Sequence, residues 1–204
     1  MKETFYNLAE EKQTRIMRAA LEEFALSGFD KTSLDAIVRR AGISKGGLYE
    51  YIETKEDLFR YALEYSYGRM EKHIRDGTSS GTMPADPLER TRFISSVAVE
   101  FFIREPDVIS FLVKAEQAER RDMKRHGQAV FDRYFEGLYA DADYDAISCG
   151  KDRALSLIKW LLVKTRNDFS ENLATLRKSE LCRDAYLEEW DFFLSVLAKG
   201  IYRV

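Results

Sequence analysis

Proline, cysteine and histidine are scarce in this chain, with three, two and two respectively among 204 residues. So few prolines, together with only eleven glycines, permit long uninterrupted helices. The two cysteines, Cys149 and Cys182, exclude a disulfide framework and show no metal-ligand spacing. Both are expected as unpaired thiols on helical segments, without the clustered basic neighbours that activate a redox cysteine. His73 and His126 have no metal-type partner four residues on, so neither a metal nor any other cofactor is expected. Apolar runs fall far below the ~20 residues that a membrane-spanning helix needs. The opening MKETFYNLAEEK is too polar for a secretory signal. A cytoplasmic, reduced protein with no membrane segment is the expectation. Charge of one sign is missing as well. The 32 Lys and Arg stand against 35 Asp and Glu, a net charge of −3. That excludes a protein coating nucleic acid with its whole surface, but leaves room for a local basic patch.

Catalytic constellations are missing too, and two motif matches are decoys. Gly77-Thr78-Ser79-Ser80-Gly81 fits the nucleophile elbow G-x-S-x-G, which requires a strand before the serine and a helix after it. A polar helix end precedes it here and more loop follows, so Gly77 to Pro87 reads as a linker. Asp141, Asp143 and Asp145 open like a calcium loop, but Ala146 stands where glycine is required and Asp152 where glutamate is. An exposed acidic loop between helices is the better reading, and no enzymatic activity is expected.

What the chain does contain is helical periodicity, with no sustained β-type alternation and no internal repeat. Ile16, Met17, Ala20, Leu21 and Phe24 recur at three- and four-residue steps over residues 10–27, and Gly28 is placed as the stop. Helices follow over 34–41, 44–52 and 55–75. Beyond the linker they continue over about 88–104, from Pro106, over about 124–140, then Cys149 to Arg177 and Arg183 to Tyr202. The fold class is all-α, about nine helices: an N-terminal three-helix helix-turn-helix domain and a larger C-terminal helical bundle.

The chain is organised around Lys31 to Lys55. Thr32 or Ser33 caps a helix whose Leu34, Ile37, Val38 and Ala41 face inward. Gly42 permits the left-handed backbone of a sharp turn, Ile43 plugs that turn, and Ser44 caps a second helix. There Leu48 and Ile52 face inward, leaving Lys45, Gly46, Gly47, Tyr49 and Tyr51 outward. Two helical glycines cost roughly 1 kcal/mol each; the cost makes sense if the first turn presses against DNA. Local charge agrees, since Lys31, Arg39, Arg40 and Lys45 outnumber Asp35 between residues 31 and 49. A short, basic and aromatic second helix after a tight turn is the layout of a DNA-reading helix-turn-helix.

The last two helices carry broad apolar stripes, enough to bury one face within the chain and offer another to a second copy as a four-helix bundle. Phe101, Phe111, Phe131, Tyr134, Phe135, Tyr139 and Trp160 supply aromatic material for a pocket between central helices, although residue by residue ordinary core is the favoured reading. Glu100, Arg104, Lys114, Glu116 and Arg166 are candidate polar anchors, or simply surface.

Residues 16–58 resemble the DNA-binding domain of the tetracycline-repressor (TetR) family. The likeness is carried by Ala20 and Phe24, Gly28-Phe29, Thr32-Ser33-Leu34, Ile37, Arg40 to Gly46, Leu48-Tyr49 and Lys55 to Leu58. It implies a homodimeric, DNA-binding transcriptional regulator, usually a repressor, that leaves a pseudo-palindromic operator when a small-molecule inducer binds. By that resemblance, residues 1–54 form the DNA-binding domain and 55–204 the effector-binding and dimerisation domain. Ser33, Ser44, Tyr49 and Lys55 correspond to phosphate contacts, and Lys45, Gly46, Gly47 and Tyr51 to groove-facing positions. Gly47 departs from the family's usual threonine, serine or alanine, which removes one side-chain contact to a base. Asp35 occupies a spot that reads a base in some members. The expected partners are double-stranded DNA, a small-molecule effector and a second copy through the two C-terminal helices. The rival reading is a helical protein-interaction module without ligand control.

Overall fold

The computed structural model describes residues 1–78, 82–176 and 180–202, and side chains outside 173–182. Ser79 to Gly81 of the G-x-S-x-G match, Arg177 at the expected helix end and the thiol of Cys182 lie outside the described residues. Among those described there are ten α-helices and no strand. They are α1 (Glu3–Tyr6), α2 (Glu10–Lys31), α3 (Leu34–Ala41), α4 (Lys45–Tyr49), α5 (Lys55–Asp76), α6 (Pro87–Arg104), α7 (Pro106–Glu116), α8 (Arg121–Tyr139), α9 (Lys151–Leu176) and α10 (Glu180–Ile201). The helix beyond the sequence expectation is α1. Its single turn is too short for periodicity to reveal.

Gly28 ends the regular part of α2, with φ 72 and ψ 170, and Phe29 to Lys31 add one further turn beyond that kink. The alternative caps of α3 are resolved by this geometry. Thr32 closes α2, its hydroxyl donating to the carbonyls of Gly28 at 2.7 Å and Glu23 at 3.0 Å. Ser33 caps α3, its Oγ accepting from the Ala36 amide at 3.2 Å.

Contacts gather the chain into two compact units: Met1–Gly68 with Asp107–Arg133, and Arg69–Pro106 with Tyr134–Val204. A division of the chain at Lys55 does not coincide with these units, because α5 contributes to both and α7 joins the first. In the first unit the core is a cluster of phenylalanines. Phe59 sits 5.1 Å from Phe24, 5.0 Å from Phe29 and 5.5 Å from Phe111, ring centre to ring centre, in edge-to-face geometry. All four side chains are buried. Burial of each ring stabilises the unit by about 1.5–3 kcal/mol.

In the second unit α6 packs against α9 and α10. Asp86 caps α6, accepting from the amides of Leu88 and Glu89, both at 2.9 Å, with Pro87 at the first helical position. Arg90 is only 1% exposed, and its guanidinium donates to the Pro84 carbonyl (2.6 Å), the Leu138 carbonyl (3.0 Å) and Asp141 (2.6 Å). This bonding explains the calcium-loop decoy. The first carboxylate of that loop belongs to a buried arginine, which holds it below the usual carboxylate range. Asp143 accepts from the Asp145 amide at 2.9 Å, an Asx turn within the loop.

Candidate nucleic-acid interface

The sequence builds the α3–α4 unit from three local devices. Gly42 adopts the left-handed conformation, φ 64 and ψ 38, which reverses the chain, and the Ile43 amide returns to the Val38 carbonyl at 3.1 Å. Ser44 caps α4, accepting from the Gly47 amide at 3.0 Å. Leu48 and Ile52 are wholly buried beneath, together with Ile37 and Ala41 of α3. The opposite side of α4 is left in the open: Ser44, Lys45, Gly46 and Tyr49 are exposed, as is Ser33 at the start of α3.

Its electrostatics are those of a paired surface. Lys45 Nζ lies 2.9 Å from the Asp35 carboxylate, with both side chains well exposed. The hydrogen bond to Asp35 raises the lysine's proton affinity above its ordinary value. Asp35 is thereby occupied by its own chain. Arg40, one of two arginines considered for base reading, is bound to Glu23 at 2.7 Å and Glu22 at 2.8 Å, tying α3 to α2. Arg39 remains exposed, with no ion pair among the described residues.

The two glycines separate into different roles. A methyl group on Gly47 would lie 3.1 Å from Ser44 Oγ and crowd the cap itself. One on Gly46 would meet nothing within 4 Å. The space around Gly46 is open, and that around Gly47 is tight only against the Ser44 hydroxyl.

Two expectations are corrected. Tyr51 does not face outward. It is 9% exposed, its ring meets Phe5 edge-to-face at 6.2 Å, and its hydroxyl accepts from Lys12 Nζ at 3.1 Å. The cause is that the helix ends at Tyr49, so helical spacing no longer governs position 51. Lys55 does not extend to solvent either. Its ammonium donates to the carbonyls of Phe29 (2.8 Å), Thr32 (3.0 Å) and Asp30 (3.3 Å) and lies over the Phe29 ring, 4.5 Å from its centre. The end of α2 leaves carbonyls that a cation satisfies, and Lys55 does so.

The aromatic residues considered for an effector pocket are divided between the two units. Phe111 is part of the phenylalanine core, and Phe131 is buried beside Tyr67 at 5.9 Å, both in the first unit. In the second unit Phe135 and Tyr139 stack at 4.8 Å within the core, and Tyr134 is half-buried. Trp160 is corrected outright: at 63% exposed it lines no enclosed site. Only Phe101 borders a cavity described here, an open one of about 270 Å³ lined also by Arg69, Lys72, His73, Asp76, Arg104 and Glu105. Among the proposed anchors, Arg104 reaches that cavity, while Glu100 is bound to Arg183 at 2.8 Å.

Sequence reasoning missed Lys2, Thr4 and Phe5, which meet the end of α4. No local pattern announces bonds made across 46 and 47 residues.

A capped, outward-facing second helix after a left-handed glycine turn is the layout of a DNA-reading helix-turn-helix. Comparison with known proteins agrees. Residues 16–62 match the family described as bacterial regulatory proteins, tetR family. The uncharacterized HTH-type transcriptional regulator YuxN of Bacillus subtilis (strain 168) is 32% identical over 106 residues, 51% of this chain and 35% of that protein. The chain thus spans about a third of that relative's length. A TetR family transcriptional regulator from Chloroflexus aurantiacus J-10-FL superposes with a TM-score of 0.70 at 24% identity, covering 100% of this chain and 99% of that one. FadR from Bacillus subtilis, solved in complex with stearoyl-CoA, superposes with a TM-score of 0.62 at 16% identity, over 87% and 96% of the two chains. At these identities the two structures speak for the fold alone. Residues 16–62 thus carry the DNA-binding domain of the tetR family, and the rest of the chain shares the fold of its solved structures.

Proposed function

We propose that the protein is a cytoplasmic homodimeric repressor of a pseudo-palindromic operator, released by a small-molecule inducer. Residues 1–54 carry DNA reading, and residues 55–204 carry effector binding and dimerisation. The observation that carries the reading is the open face of α4: a Ser44-capped helix whose inner side is fully buried and whose outer side exposes Lys45, Gly46 and Tyr49. Ser33, Ser44 and Tyr49 serve as phosphate contacts, and Lys45, Gly46 and Gly47 enter the groove. Asp35 releases Lys45 when DNA supplies a better anion. Tyr51 and Lys55 act behind this surface by holding α4 and the end of α2.

Dimerisation through α9 and α10 is supported by the apolar residues they leave uncovered, Leu157 and Trp160 on one helix and Phe192 and Val196 on the other. Two copies then place their α4 helices about one helical turn of DNA apart. The effector is a small molecule carrying an anionic group, bound in the cavity beside Phe101. Both carboxylates there are already paired, Glu105 with Arg69 at 2.6 Å and Asp76 with Lys72 at 2.7 Å, which leaves Arg104 uncompensated by a carboxylate of the lining.

Genome-fragment selection with the purified protein tests the operator. Enrichment of a two-fold related sequence is expected, and failure to retain any duplex at low salt would sink the DNA reading in favour of a protein-binding module. A thermal-shift panel of small carboxylates, phosphates and cations, with stearoyl-CoA included, tests the effector. Anions should raise Tm and cations should not; stabilisation by cations alone overturns the anionic assignment.

A further inference from the structure

The recognition helix cannot hold its own C-terminal end. It runs only from Lys45 to Tyr49 and contains two glycines, so the carbonyls that follow Leu48 have no further helical turn to bond. Each of the next three is taken by the N-terminal segment. Lys2 Nζ donates to the Tyr49 carbonyl at 2.8 Å, the Thr4 hydroxyl donates to the Glu50 carbonyl, and the Lys2 backbone amide donates to the Tyr51 carbonyl at 2.7 Å. The Lys2 ammonium also stands at the negative end of the helix dipole. Phe5 anchors the segment. It is wholly buried and meets Tyr51 and Tyr61 edge-to-face at 6.2 and 5.6 Å. Lys12 holds the far end of Tyr51 through its hydroxyl.

We propose that Lys2, Thr4 and Phe5 are positioning residues for DNA reading: the N-terminal segment is a C-cap, supplied from a distance, that fixes how α4 presents Lys45 to Tyr49. The assignment rests on α4 being the groove helix. Lys2 is a cation beside a DNA-reading surface, yet its charge is directed at protein carbonyls and not at phosphate. Removing it therefore frays α4 without changing the number of phosphates neutralised. Discrimination between operator and random duplex falls, while the salt dependence of binding stays.

The test uses full-length protein with Lys2→Met and Thr4→Val, which keep their stems and lose their donors. Hydrogen exchange of the amides over 44–52 should accelerate about three- to tenfold, the loss of about one hydrogen bond. The operator-to-random affinity ratio should drop by a similar factor. The slope of log affinity against log salt should hold, and Lys2→Arg should restore both readouts. Unchanged exchange over 44–52 overturns the cap. A slope reduced by about one makes Lys2 a phosphate contact instead. If the wild type binds no DNA, the groove reading fails, and the exchange measurement still decides whether the segment holds α4.

Discussion

Two parts of this molecule leave a helix face uncovered, and the two faces are chemical opposites. On α4 the open residues are a lysine, a glycine and a phenol, on a helix of five residues whose fold depends on caps at both ends. On α9 and α10 they are Leu157, Trp160, Phe192 and Val196, on helices of 26 and 22 residues with their own buried cores. A polar face on a weakly self-supporting helix suits a partner made of phosphates and base edges, bound reversibly. An apolar face on a long, well-packed helix suits a permanent protein partner, because only lasting burial offsets the cost of exposed Trp and Phe.

The apolar face gives the largest expected effect. On the proposed pairing of two copies, Trp160→Asp should weaken association by at least about 2 kcal/mol, about thirtyfold in Kd. Sedimentation should then show monomer at concentrations where the wild type is paired, with operator affinity falling alongside. An unaltered association constant would remove Trp160 from the interface and make the two faces less different than they look.

Next come the lysines, which look alike in sequence and differ in place. Lys55→Met strands three carbonyls at the end of α2 and should cost about 1–3 kcal/mol of folding stability with no change in salt slope. Lys45→Ala should leave stability almost unchanged and reduce the salt slope by about one. If urea unfolding and salt titration returned the opposite assignment, the geometry around Lys55 would not describe the working protein.

Gly46 sharpens the contrast within α4 itself. With open space at its Cβ position, Gly46→Ala should stabilise the isolated protein by about 0.5–1 kcal/mol, yet weaken operator binding on the proposed close approach of this backbone to DNA. Gly47→Ala brings its methyl group to 3.1 Å from Ser44 Oγ, so its gain in stability should be smaller than that of Gly46→Ala. Should Gly46→Ala bind operator as tightly as wild type, the close-approach role of that glycine is lost.

The lysines and glycines also mark how far sequence reasoning reaches. Helix periodicity, the Gly42 turn and the Ser44 cap were legible because each is a local rule, spanning at most four residues. Tyr51 and Lys55 were misplaced because their partners, Phe5 with Lys12 and the carbonyls at 29–32, lie far away in sequence. The exposure of Trp160 was equally hidden, since a broad apolar stripe does not say which part faces the chain's own core. The family resemblance identified these residues as a group. It did not separate those that touch a partner from those that hold the touching residues in place.

The smallest expected effect concerns pH. His126 lies on α8 in the first unit, which carries the polar face, among Arg60, Glu64 and Arg133. Burial, and then the positive charge of Arg60, hold its proton affinity below the ordinary value of 6.5, and its Nε2 is buried without a hydrogen-bond partner among the described residues. The sign follows from which state takes the proton first. Above 6.5 the imidazole is neutral whether the chain is folded or not, and the folded state keeps its full stability. As pH falls below that value the unfolded chain protonates before the folded one, so stability is lost on the way down to the folded proton affinity. Wild-type Tm should therefore fall between pH 7.5 and 5.5, and His126→Gln, which cannot titrate, should flatten part of that fall. The association proposed for Leu157, Trp160, Phe192 and Val196, none of which titrates, should keep its constant over the same range. An identical fall in the glutamine variant would show that the pH response belongs to the carboxylates. Dimer dissociation in step with Tm would tie the apolar face to a titration that its own residues do not supply.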